Sequence, residues 1–247
     1  MSRDFPCYAA AVALSETSAS RVETVTRRLR ESIFEGRYPP GSPLRELILA
    51  REMNVSQTTI REALRRLEHA GLVSREVNRG TTVTRLSPRD IQERVTLRAL
   101  LETIAAREAA SRMVEEDFAE LNRRLIALDT AVHSDNYYEA AQADLEFHRY
   151  IWQRSGNATL SQTLELITTP LFAFVSILRR QGLQSLVTVV DSHEPLIQAL
   201  RSGDSEHIRE AFETGVTHSY LNFLDDAAMR SLAGAFGLLE PLGQDRP

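Results

Sequence analysis

Asp144 and His148 stand four residues apart on a predicted helix over 136–155, a spacing that puts both side chains on one face, close enough to share a metal ion. His193 and His218 fall near the middle of the next predicted helix but one, 184–202, and within the last, 204–230. An all-helical bundle could bring these four groups to a common centre. Taken singly each is weak, because a lone His on a helix is commonly packed or exposed, and an Asp with a His at i+4 can be a simple hydrogen-bonded pair. As a group they use three of only six histidines. The others, His69, His133 and His207, lie near predicted helix ends and read as surface residues or caps.

Positioning such a group requires several helices, and the 247-residue chain has room for two domains. Its charge is divided accordingly. Residues 20–86 hold thirteen Arg against eight acidic residues, a net of about +5, whereas 87–247 hold fifteen against twenty-four, about −9. The overall charge of −5 therefore hides a basic module suited to an anionic polymer. All the basic residues are Arg, which suits planar contacts to phosphate or carboxylate and which a GC-rich genome would also produce. The single cysteine, Cys7, excludes an internal disulfide framework and a Cys-rich zinc site. No apolar run approaches the roughly 20 residues of a bilayer span, so a cytoplasmic protein without membrane partners is expected.

Residues 1–19 lack sustained periodicity and read as a disordered leader. Val22, Val25, Leu29 and Ile33 then mark an amphipathic helix stopped by Gly36, and Tyr38 to Pro43 reads as a turn. A second helix spans about 45–53. Ser56 caps a third, about 57–70, with Ile60, Ala63, Leu64 and Leu67 as its buried stripe and Gly71 as its stop. Two β-prone runs flank Asn78-Arg79-Gly80, a hairpin. Three helices and a hairpin make a winged helix-turn-helix over 20–86. From Ser87-Pro88 the pattern is helical to about 231, followed by a flexible tail over 232–247. The fold class expected is therefore mainly α: the winged helix-turn-helix plus an all-α C-terminal bundle of six or seven helices.

The third helix would be the reading helix. Ser56, Gln57, Thr58 and Thr59 offer short polar groups and one amide for phosphate and base-edge contact, and Arg61 can chelate guanine or clamp a phosphate. Alternatively Arg61, Arg65 and Arg66 form only a solvated face paired with Glu62 and Glu68. The pattern Gly41-x-x-Leu44-x-Glu46-x-x-Leu49-Ala50, Val55-Ser56, Ile60-Arg61-Glu62-Ala63-Leu64-x-x-Leu67-x-x-x-Gly71-Leu72-Val73 and Arg79-Gly80 resembles the GntR family of bacterial regulators. The resemblance implies a homodimer on double-stranded pseudo-palindromic operator DNA. Arg45, Ser56, Gln57, Thr58, Thr59, Arg61 and Arg65 would lie at the DNA, with Arg79 and Gly80 at the wing tip toward the minor groove. Gln57 and Thr59 replace the family's more usual Arg and Pro, which implies a different operator, since Gln prefers adenine edges.

Further along, Arg98-x-x-Leu101-Glu102, Asp144-x-x-Phe147-His148 with Gly156-Asn157, His193-x-x-x-Ile197-x-Ala199-Leu200 with Gly203-Asp204, and His218 resemble the FCD ligand-binding domain of the FadR-type branch. The resemblance implies that Asp144, His148, His193 and His218 ligate a divalent metal, Zn²⁺ or Ni²⁺ by donor chemistry. Arg98, if it faces the same cavity, binds the carboxylate of a small organic acid, or else pairs with Glu102, which could also orient it. A repressor released by its effector is the family's usual mode. Two other readings stay open. The metal itself could be the signal, or the helical domain could be a metal-dependent hydrolase with Glu146 or Glu194 as its base.

Overall fold

Val22, Val25, Leu29 and Ile33, spaced three and four apart, are all buried on one side of helix α1 (Cys7–Phe34). The computed structural model describes residues 7–76, 80–134, 136–180, 190–218 and 220, with side chains from residue 19 onward, that of His218 excepted. The helix begins well inside the stretch expected to be a leader. Ala9, Ala10, Ala11 and Ala13 account for this, since Ala has the highest helix propensity and needs no apolar periodicity to be helical.

α2 (Glu46–Glu52) and α3 (Gln57–His69) follow, and α3 packs on both α1 and α2. The side chain of Ser56 accepts the Thr59 backbone N–H at 3.1 Å, which satisfies one of the free donors at the start of α3. Ile60, Ala63, Leu64 and Leu67 form the buried stripe. Gly71 ends the helix at φ +71°, and the Leu72 N–H returns to the Leu67 carbonyl at 2.9 Å. Strands β2 (Val73–Glu76) and β3 (Gly80–Val83) pair antiparallel, Val73 opposite Val83 and Glu76 opposite Gly80. β1 (Pro43–Leu44) adds to β3 on its far side, giving the order β1-β3-β2. Two residues are too short to show alternation, and this strand lies at the end of the expected turn, Pro43 inside it and Leu44 just beyond. Residues 77–79, the wing tip with Arg79, lie outside the described residues.

The chain divides into two units, Met1–Arg85 and Leu86–Pro247. In the second, Ser87 and Asp90 cap α4 (Pro88–Ala110) reciprocally, with Asp90 N–H to Ser87 Oγ at 3.2 Å and Ser87 N–H to Asp90 Oδ2 at 2.8 Å. α5 (Glu115–His133) and α6 (Tyr137–Arg154) form an antiparallel pair, and Asn136 caps α6 through the Glu139 N–H at 3.1 Å. α7 (Ala158–Arg180) packs on α4 and α6, and α8 (Glu194–Ser202) and α9 (Ser205–His218) complete the described bundle. One core cluster joins Phe118, Phe147, Ile151, Leu196, Leu200 and Phe212, and another joins Val95, Ala99, Leu171, Val175 and Val216. The architecture is thus mainly α, a winged helix-turn-helix followed by a helical bundle.

Two features of the bundle differ from expectation. α7 is long and apolar enough to cross a membrane by length and hydropathy, although over half of that stretch is buried within this unit. It also contains Pro170, whose missing N–H leaves the Leu166 carbonyl without its helical donor. The Arg94 guanidinium supplies one, reaching the Leu166 and Ile167 carbonyls at 3.3 Å. The helix expected over 184–202 is broken. Ser192 and His193 form a turn, and α8 starts only at Glu194, because Pro195 in its first turn needs no N–H partner there but would interrupt a helix arriving from upstream. Residues 181–189 lie outside the described residues.

Candidate metal centre and nucleic-acid interface

The break before α8 sets the geometry of the buried site, since it puts His193 at a helix entrance rather than mid-helix. One donor atom each from Asp144, His148 and His193 lies within 4.8 Å of the others, and all three residues are buried. Asp144 and His148 come from successive turns of α6, as their spacing requires. His193 is held edge-on against Phe147, ring centroids 4.7 Å apart, and its Nε2 lies 3.1 Å from Asp144 Oδ1. His148 Nε2 is 3.5 Å from the same oxygen. His218 closes α9, but its side chain lies outside the described residues.

The surrounding hydrogen bonds decide which nitrogen of His148 is free. Arg98 Nη2 stands 3.2 Å from His148 Nε2, and a guanidinium can only donate, so Nε2 carries the lone pair and Nδ1 the proton. That proton faces Glu102 Oε1 at 3.4 Å. This is the tautomer a metal ligand needs, with a carboxylate behind the imidazole. His148 Nδ1 and Glu102 Oε2 are both buried without a full hydrogen bond. Tightening the ring toward Glu102 when Nε2 takes a cation would relieve the imidazole. The donor set, one carboxylate and two imidazoles, therefore fits a borderline divalent ion.

The titration of these groups follows from burial and their neighbours. Burial alone would raise the Asp144 carboxyl, but His193, His148 and Arg179 outweigh it and hold it at about 2. Burial pulls His148 down to about 4, against the opposing pull of Glu102, so the ring is neutral at pH 7. Burial opposes the Arg98 charge too, yet Glu102, Tyr220 and Asp144 hold it above its ordinary range. At neutral pH Asp144 is thus a carboxylate and His148 an unprotonated imidazole, the forms in which a cation could be held.

Arg98 reaches this chamber from α4. It donates to Glu102 Oε1 at 3.1 Å and Tyr220 OH at 3.0 Å, and lies 4.8 Å from the Phe172 ring centroid. Glu102 does not line the chamber. It sits behind Arg98 and His148, also accepting Trp152 Nε1–H at 3.2 Å, in contact with both. Arg179 from α7 and Tyr220 also line the chamber, whose volume is about 30 Å³. Ser192 and Gly215 line both it and a wider cleft of about 540 Å³. Arg179, Tyr220 and Trp152 went unnoticed in the sequence, where no spacing ties them to Asp144. Of the two candidate bases, Glu146 is exposed and pairs with Arg149 and Arg124, and Glu194 accepts from Gln198; neither lines the chamber.

In the first unit, Ser56 Oγ caps α3 and lies 2.8 Å from Thr59 Oγ1, leaving Gln57 and Thr58 exposed beside them. Arg45 is exposed just before α2, and Gly80 is exposed at the start of β3 with φ +83°. Arg61 pairs with Glu46 at 2.9 Å, not with a neighbour on its own helix, and Glu46 also takes Arg75 at 2.8 Å. One carboxylate thus fixes two guanidiniums from α3 and β2, which leaves a net positive charge between them. Arg65 pairs loosely with Glu62 at 3.5 Å, and Arg66 pairs with Glu23 on α1, not with Glu68. Arg75 escaped the sequence reading because its strand carried no sign of facing α2.

Comparison with known proteins identifies both units. The family model of the FCD domain matches residues 93–216, and that of the bacterial regulatory proteins of the gntR family matches residues 21–83. A protein of Paenarthrobacter nicotinovorans named a probable D-xylose utilization operon transcriptional repressor is 29% identical over 209 residues, 83% of this chain and 89% of its own. The Glc operon transcriptional activator of Escherichia coli (strain K12) is 29% identical over 169 residues, 61% of this chain and 66% of its own. Among solved structures, E. coli McbR/YncC shares the fold with a TM-score of 0.70 at 21% identity, covering 85% of this chain and 98% of that one. A GntR regulator from Rhodococcus sp. RHA1 does so with a TM-score of 0.61 at 20% identity, over 90% of this chain and 100% of that one. With its DNA-reading unit matched in front and its helical unit behind, the chain belongs to the GntR family of bacterial transcription regulators and carries an FCD domain.

Proposed function

We propose that this chain is a metabolite-responsive, homodimeric repressor whose helical unit holds a divalent metal ion, zinc or nickel, and a small carboxylic acid. The observation that carries the reading is the convergence of Asp144, His148 and His193 within 4.8 Å, in a chamber that Arg98 also lines. His218 is the expected fourth ligand. A bound cation would supply residual positive charge and open coordination positions to a carboxylate. Arg98 binds that carboxylate, Glu102 keeps the guanidinium and the His148 ring in place, and Phe172 and Tyr220 shield the pair from water. The acid acts on DNA binding only by favouring one quaternary state over the other.

Fluorescence polarisation tests this with the purified full chain and the DNA upstream of its own coding region. Zinc-loaded protein is expected to hold that DNA and to release it when a carboxylic acid is added. If zinc alone switches affinity across its physiological range, the metal is the signal and the metabolite reading is wrong.

At the DNA, Gln57 and Thr58 read base edges while Arg45, Arg65 and the wing residues Arg79 and Gly80 position the backbone. Gln57→Ala is expected to cost about 1–3 kcal/mol on the preferred operator and to relax selection at one base pair. Arg45→Ala should instead weaken all sequences alike and lower the salt slope by about one. Binding-site selection at two salt concentrations separates the two behaviours.

Homodimerisation has a candidate surface on α4. Leu97, Leu100 and Ile104 recur at helical spacing and are each nearly half exposed, as is Leu166 of α7, the residue whose carbonyl Arg94 caps. Such a stripe is ordinarily covered by a partner. Leu100→Glu is expected to convert the dimer to monomer at micromolar concentration and to lower operator affinity, measured by analytical ultracentrifugation. A variant that remains dimeric would place the interface elsewhere.

A further inference from the structure

Glu46, the first residue of α2, ties the reading helix to the wing through two arginines. Arg61 of α3 donates to it twice, from Nη2 to Oε2 at 2.9 Å and from Nε to Oε1 at 3.4 Å. Arg75 of β2 donates from Nη2 to the same Oε1 at 2.8 Å. The two guanidiniums therefore stand side by side, and the carboxylate between them offsets their mutual repulsion. Both stay open to solvent, their side chains 45% and 41% exposed, while that of Glu46 is only 21% exposed beneath them. A guanidinium has five N–H donors, and these pairs use two on Arg61 and one on Arg75. The rest are left for an acceptor beyond the surface.

Folding gains little from this arrangement, because exposed ion pairs add little to stability. Recognition gains more. A long, flexible arginine must be immobilised when it binds, and one that is already anchored has less freedom to lose. The position suits a phosphate acceptor. Arg61 lies four residues after Gln57, on the same face of α3 and one turn back from the base edges that Gln57 would meet. Arg75 brings the wing strand to the same point. Two guanidiniums on one carboxylate leave a positive charge there, which complements a polyanion.

We infer that Arg75 is a second clamp on the DNA backbone beside Arg61, and that Glu46 is the positioning residue that holds the two guanidiniums as a pair. This rests on DNA reading by the first unit and adds a contact from the body of the wing strand, apart from the wing tip. If Glu46 acted only through its charge, removing it would tighten binding to any DNA, since a carboxylate repels phosphate. As a positioning residue it has the opposite effect on the preferred sequence, because its loss lets both guanidiniums swing free.

Fluorescence polarisation of the full-length protein tests this on two duplexes of equal length, one that the wild type selects from a random pool and one unselected, at two salt concentrations. Arg75→Gln should bind the selected duplex about tenfold more weakly and lower the salt slope by about one. Glu46→Gln should bind the selected duplex about fivefold more weakly, or worse, while holding the unselected one as tightly as the wild type or more so. Glu46→Asp, which keeps the charge on a shorter stem, should lose part of the same affinity. Circular dichroism melts report whether each variant is folded. Glu46→Gln binding the selected duplex as tightly as the wild type, or an unchanged salt slope in Arg75→Gln, overturns the inference and leaves DNA reading by the first unit standing. A wild type that selects no sequence removes that reading, and the inference with it. If Glu46→Gln does not fold, Glu46→Asp and the salt slope of Arg75→Gln still decide.

Discussion

Full-length protein carrying Asp144→Ala is expected to lose high-affinity zinc binding, its affinity falling on the order of a hundredfold or more. Partners one step removed from a metal are already worth about 10–100-fold in affinity, and Asp144 would be a ligand in its own right. It is the only anion among the three described donors, and its oxygen is the point both imidazoles face, at 3.1 and 3.5 Å. Without it the cation would meet two imidazole rings beside two buried guanidiniums, Arg98 and Arg179, with Glu102 alone to offset them.

Thermal stability gives a second readout. A ligand present at a thousand times its Kd stabilises the folded state by about 4 kcal/mol. For a unit of this size that is a rise of about 10 °C in the melting temperature. Trp152 fluorescence should show such a rise in the wild type on adding zinc, its reversal by chelator, and no more than about a quarter of it in Asp144→Ala. Asp144→Asn, which keeps the shape and removes the charge, should behave nearly as badly. A variant that retains wild-type zinc affinity would show that the cation, if one binds, sits elsewhere.

How much of this site the sequence could show depended on whether its parts were local. The i, i+4 spacing of Asp144 and His148 is a property of one helix, and α6 keeps it. His193 was visible as a residue type, but its approach depends on the turn at Ser192-His193. Pro195 was the available signal for that break, because a proline inside an apparent helical pattern marks a start or a kink. Pro170 shows why the signal is ambiguous. Within α7 the same residue is accommodated, since Arg94 on another helix supplies the missing donor, and nothing local to 158–180 reveals this.

Arg179 and Tyr220 illustrate the other limit. Each lies far along the chain from Asp144, and only packing of α7 and of the residues after α9 brings them to the chamber. In the first unit the buried stripe of α3 was readable from period alone, whereas Arg61 found its partner on α2 and Arg66 on α1. An Arg-rich helical face invites pairing with its own i+3 and i+4 acids, worth only about 0.2–0.5 kcal/mol. Weak local pairs yield readily to partners that tertiary packing happens to present.

Glu102→Leu carries the second large effect, on folding itself. Glu102 is fully buried, and its Oε1 serves Arg98 Nε at 3.1 Å, Trp152 Nε1 at 3.2 Å and, more loosely, His148 Nδ1 at 3.4 Å. Removing it leaves a 4% exposed guanidinium without its direct ion-pair partner and an indole N–H without an acceptor. Breaking a buried pair in this way costs about 3–5 kcal/mol, so the helical unit should melt about 10 °C lower. Urea unfolding followed by Trp152 fluorescence, with the melt as a check, measures the loss. Replacing both partners, Arg98→Met with Glu102→Leu, should recover most of it, because two apolar groups of similar volume carry no desolvation penalty. The double variant would then be folded yet unable to hold an acid at Arg98, which separates the guanidinium's binding role from its cost to the fold. If Glu102→Leu alone unfolds within about 1 kcal/mol of the wild type, the pair is not the buried, coupled unit its distances describe.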